Sequence, residues 1–105
     1  MNSQDRNRAK QQIREFFDSK RTELFEIEFP AIKRRFLGEL NSLAKEMEFL
    51  ASDLADKGKG VEETLKKSEE KFKKLIKQFL KDIPDDPIIG IPYKKIREIL
   101  KELLA

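Results

Sequence analysis

The chain has 105 residues, enough for one domain with a modest core, and 38% of them are apolar. It carries 23 basic and 20 acidic side chains but no histidine, cysteine or tryptophan. Those absences exclude disulfides, thiol nucleophiles and the commonest transition-metal ligands. No catalytic, metal or cofactor site is expected, although two carboxylates can suffice for acid–base work.

The net charge of +3 is too small to indicate a polyanionic partner by itself. Its distribution is uneven. Residues 1–21 come to +3, 22–56 to −4, 57–81 to +5 and 82–105 to −1. Blocks of alternating sign favour antiparallel docking of successive segments. Abundant Lys and Glu with few Asn, Gln and Met also resembles thermophile usage.

Residues 1–8 are polar and read as a frayed, disordered tail, leaving 9–105 as a single helical domain. MNSQDRNRAK has no apolar core of a secretion signal, and no apolar run nears the ~20 residues of a membrane span. A soluble, cytoplasmic protein is expected. From Ala9 the apolar positions Ile13, Phe17, Leu24 and Ile27 recur at helical spacing. A second stripe, Phe25, Phe29, Ile32, Phe36, Leu40, Leu43, Met47, Leu50 and Leu54, is close to a heptad seam. It lies roughly 120° around the helix from the first. Either the helix kinks or breaks near Pro30, or one long helix presents two faces to different neighbours. The alternation Phe25-Glu26-Ile27-Glu28-Phe29 also fits a short strand, but its flanks are strongly helical.

Lys57-Gly58-Lys59-Gly60 reads as a turn, with Gly58 ending the preceding helix in the left-handed conformation. A third helix follows over 61–82, its seam running through Val61, Leu65, Ser68, Phe72, Leu75, Phe79 and Ile83. Pro84–Pro92, with three prolines and a glycine, is not regular helix and reads as a strap whose isoleucines lie on a core or a partner. A short C-terminal helix then buries Ile96, Ile99, Leu100 and Leu103.

The fold expected is all-α: an antiparallel bundle of three or four helices. The two offset stripes exceed what one facing helix covers, so part of the first arm is expected to be buried in a homo-oligomer or on a larger partner. Leu24, Phe25, Ile27, Phe29 and Phe49 are the candidate partner-facing residues. Phe49 stands out because it falls well off its seam.

The alternative is phosphate contact through Lys33, Arg34, Arg35, Lys71, Lys77 and Lys81, in a nucleic-acid-associated accessory protein. Against it, Glu62–Lys66, Glu63–Lys67, Glu69–Lys73 and Glu70–Lys74 stand at i,i+4 with the acid first, the pattern of a water-facing helix. Glu26/Glu28 and Asp85-Asp86 lack the ligand spacing of a calcium loop, so no metal is expected there. Ordered Glu–Lys pairs also suit an engineered helical protein, but the irregular strap and uneven seams argue against an idealised one. The reading favoured is a non-enzymatic helical interaction module.

Overall fold

Pro30 divides the first arm in two. Phe29, held extended at φ −91°, ψ 103° as the residue before a proline prefers, precedes a helix with Pro30 in its first turn. The computed structural model describes residues 3–83 and 93–105. Within them lie four helices: α1 (Ser3–Leu24), α2 (Pro30–Asp56), α3 (Glu62–Asp82) and α4 (Tyr93–Leu104). No strand occurs among the described residues, Phe25–Phe29 included. The Pro84–Pro92 strap, with Asp85, Asp86 and its isoleucines, lies outside the described residues.

Helix α1 closes with tightened i→i+3 bonds, from Glu26 N to Glu23 O and from Ile27 N to Leu24 O. The chain then reverses, and α1 packs most extensively on α2. Arg6 meets Asp56 at 3.3 Å, Arg14 meets Glu48 at 2.7 Å and Arg21 meets Asn41 at 2.6 Å, so the two helices are antiparallel. Arg35–Asp82 at 2.6 Å and Lys71–Glu46 at 3.0 Å set α3 antiparallel to α2 in the same way. Helix α4 reverses again, donating from Arg97 Nη2 to Ile83 O at 2.7 Å. The result is an all-α arrangement compatible with a helical bundle, 57 Å long and 20 × 16 Å across.

Helix α2 ends in a Schellman motif: Gly58 N donates to Ala55 O and Lys59 N to Leu54 O, with Gly58 at φ +76°. Only glycine adopts that backbone without strain.

The break resolves the two stripes. Once the chain reverses at 25–29, the α1 stripe and the α2 stripe turn inward together, and Ile13, Phe17, Leu24, Ile27, Phe36, Leu40 and Met47 are all buried. The offset between them therefore calls for no second neighbour. Three further expectations are corrected. The helix begins at Ser3, inside the stretch read as a tail, where Arg6 donates to Ser52 at 3.0 Å. On α2 the buried line includes Ala44, Ala51, Ser52 and Ala55, while Leu43, Leu50 and Leu54 are half-buried at its edges. On α3 the buried set is Thr64, Ser68, Phe72, Ile76 and Phe79, which displaces Leu65 and Leu75 to the margin.

The core is uneven along its length. The Pro30 end holds Ile27, Phe36, Phe79, Ile83, Tyr93 and Ile96, with Phe36 and Phe79 stacked at 4.0 Å. The Gly58 end holds Ala9, Ala51, Ser52, Ala55, Thr64 and Ser68. Small residues there let the backbones approach closely. Thr64 Oγ1 and Ser68 Oγ are buried without a hydrogen-bond partner among the described residues.

Candidate interaction surface

The core line of α2 runs through Phe36, Leu40, Ala44, Met47, Ala51 and Ala55. At ~100° per residue, position 49 falls on nearly the opposite side of that helix, roughly 170° away. Phe49 is accordingly 65% exposed, and what meets its ring is the Lys10 ammonium of α1, 5.7 Å from the centroid. The ring forms a crest between two open clefts. The α1–α2 cleft, about 440 Å³, is lined by Lys10, Arg14, Lys45 and Glu48. Arg14 holds Glu48 at 2.7 Å, which leaves Lys10 and Lys45 as excess positive charge. The α2–α3 cleft, about 490 Å³, balances Lys67, Lys71 and Lys74 against Glu46, Asp53 and Glu70. One flank of the crest is basic and the other neutral.

Phe25 is the second exposed ring, at 58%. It follows α1 directly, where Phe25 N still donates to Arg21 O, and the Lys33 ammonium lies 5.5 Å from its centroid. Residues 22–32 include Glu23, Glu26 and Glu28, all exposed, and no cation. Glu28 reaches Lys95 of α4 at 3.5 Å. A lysine over a ring at an exposed site contributes about 0.5–1 kcal/mol, so neither ring is strongly satisfied by its neighbour.

The five residues expected to face a partner separate. Leu24 and Ile27 belong to the core, at 0% and 1% exposure, because the tightened end of α1 turns them inward; both are withdrawn from the surface. Phe29 is half-buried beside Ile32, Phe36 and Ile83. Phe25 and Phe49 face solvent. They are not one patch: the rise of α2 from Lys33 to Phe49 is roughly 24 Å at 1.5 Å per residue.

The six cations expected on phosphate do not converge. Arg35 is bound to Asp82 and Lys71 to Glu46, across the α2–α3 interface. Lys33 caps Phe25. Arg34, Lys77 and Lys81 are exposed and make no ion pair among the described residues. Of the four i,i+4 pairs on α3, Glu63–Lys67 is within ion-pair range, at 3.9 Å. Among the described residues no three carboxylates gather into a group able to hold a metal ion, and no helix is long and apolar enough to cross a membrane.

Sequence reasoning missed Lys10, Lys45 and Glu48 as neighbours of Phe49. Lys45 and Glu48 stand four and one residues before it, which is a local signal. Lys10 and Arg14 reach it only through the α1–α2 pairing, which no local pattern encodes. Comparison with family patterns, curated proteins and solved structures finds no match to this chain.

Proposed function

We propose that this chain is a non-enzymatic helical interaction module, built on an antiparallel four-helix bundle, that binds another protein through the Phe49 crest. The observation that supports this is a large aromatic ring left on the outer face of α2, beside a cleft with surplus positive charge. The ring does no packing for the fold. Covering a phenylalanine contributes about 1.5–3 kcal/mol, a gain realised only when something docks on it. Aromatic anchors flanked by polar and charged residues are the usual organisation of a binding hot spot.

The test is a photo-crosslinking benzoylphenylalanine placed at position 49, irradiated in extract of the producing cell. Gly38, also exposed on α2, serves as the control position. A discrete protein adduct from position 49 and none from position 38 supports the reading. Equal labelling from both positions, or none, contradicts it.

A second reading has its own observation. Both exposed rings carry a lysine, Lys10 on Phe49 and Lys33 on Phe25, the pairing of stacking surface and phosphate contact used on single-stranded nucleic acid. Salt-titrated binding to single- and double-stranded oligonucleotides decides it. Phosphate contact must strengthen steeply as salt falls, and binding that stays undetectable at low salt eliminates this reading.

A further inference from the structure

Phe49 is the midpoint of a short ridge on the outer face of α2. Residues four apart on a helix line up, and Lys45, Phe49 and Asp53 are three successive positions of one such row. All three are exposed. Lys45 lines the α1–α2 cleft and Asp53 the α2–α3 cleft, so the row slants across the face with the ring at its centre. Neither charge makes an ion pair among the described residues, so each is available to an outside charge. They stand about 12 Å apart along α2 with the ring between them, too far to answer one another.

We infer that the chain pairs with a second copy of itself through this ridge, in a closed two-fold dimer whose axis passes between the two Phe49 rings. This names the partner for the interaction reading above and rests on it. Two-fold symmetry sets residue i against residue j and j against i. With the axis at position 49 and the ridges laid antiparallel, Lys45 of each copy meets Asp53 of the other. One axis makes both ion pairs, because the two charges lie at equal distances on opposite sides of the ring. Lys10 belongs to α1, lies off the ridge and stays against its own ring.

Helix packing allows this contact without distortion. A row of residues four apart is inclined about 26° to its helix axis, so aligning two such rows crosses the helices at about 50°, the commonest class of helix contact. Charge also selects this occupant. An acidic peptide or a phosphate backbone on the ring would suit Lys10 and Lys45 but bring like charge onto Asp53. A second copy laid antiparallel satisfies both ends of the ridge at once. The contact is short, so association is expected to be weak and reversible rather than obligate.

The test is sedimentation equilibrium on the full chain from micromolar to millimolar concentration, with Lys45→Glu and Asp53→Lys. The two changes are made singly, together in one chain, and as an equimolar mixture of the singles. Both positions are exposed, and circular dichroism checks that each variant keeps its helices. The parent is expected to form dimers that weaken with salt. Each single variant sets like charges together twice and is expected to lose at least about tenfold in affinity. The doubly exchanged chain and the mixture each restore two opposed pairs, and both are expected to return to the parental affinity. Lys101→Glu, exposed on α4, the helix packed on α1 and α3, changes net charge as Lys45→Glu does and is expected to leave the dimer intact. A parent that stays monomeric, dimers indifferent to both reversals, or a mixture no tighter than its parts overturns the dimer. If the dimer fails while position 49 still crosslinks to another protein, the second copy is wrong and the interaction reading stands. If position 49 also crosslinks to nothing, that reading falls with it.

Discussion

The two ends of this molecule are held together by different means. At the Pro30 end four helices meet around Phe36, Phe79, Ile83, Tyr93 and Ile96, and volume fills the space between them. At the Gly58 end α4 is absent, and Ala9, Ala51, Ser52, Ala55, Thr64 and Ser68 let three helices close up. Large side chains bring more apolar area out of water, while small ones bring little area but short interhelical distances. The Gly58 end sets two unpartnered buried hydroxyls, Thr64 and Ser68, against a thin apolar layer, and they subtract from what the alanines contribute. Arg6, bound to both Ser52 and Asp56, is the tie across that end.

The sharpest way to break this contrast is to remove volume from the wide end. Phe36→Ala is expected to cost about 3–5 kcal/mol in urea unfolding, since it empties the stack on Phe79. Adding volume at the narrow end is the complementary change. Ala51→Leu is expected to cost about 1–3 kcal/mol through overpacking, and a neutral result would show that the helices are not closely apposed there. Gly58→Ala is expected to cost about 1 kcal/mol, read as a lowered melting temperature, because alanine is strained at φ +76°. Thr64→Val keeps the shape and removes an unpartnered hydroxyl, so it is expected to raise stability by about 1 kcal/mol. A loss at Thr64→Val would mean that the hydroxyl has a partner in solution.

Much of the large-residue core was legible in the sequence, because large apolar residues at helical spacing have few other uses. Ile13, Phe17, Leu24, Ile27 and every expected core position of α4 are buried. The turn at Gly58 was equally readable, since a left-handed helix end needs glycine. The narrow end was not. A seam drawn through the largest apolar residues passes over Ala44, Ala51 and Ala55, yet close packing selects those and leaves Leu43, Leu50 and Leu54 at the edge. The same preference puts Thr64 and Ser68 inside. The first turns of α1 carry no apolar period, and their attachment through Arg6 is a contact between residues 46 apart in sequence.

The candidate site divides along the same line. Phe49 was identifiable because it violates its own helix period; Phe25 reads as a member of the second seam, and it is the helix end at Leu24 that leaves it exposed. Leu24 and Ile27 were assigned to the surface because two offset stripes read as needing more than one neighbour, whereas the reversal turns both stripes inward. Lys10 and Arg14 belong to the site only through the fold. The contrast between the ends therefore extends to the surface: Phe49 lies on the outer face of α2, level with the small-residue half, and adds nothing to either core.

That last statement is the one on which the functional account depends. Phe49→Ser separates folding from binding in a single variant, by urea unfolding together with competition against the adduct formed from position 49. Unfolding free energy within about 0.5 kcal/mol of the parent, with no competition where the unlabelled parent competes, is the expected result. A loss of more than about 2 kcal/mol would show that the ring serves the core. An unchanged fold that competes as well as the parent would show that the ring is an idle surface residue, and either outcome contradicts the account.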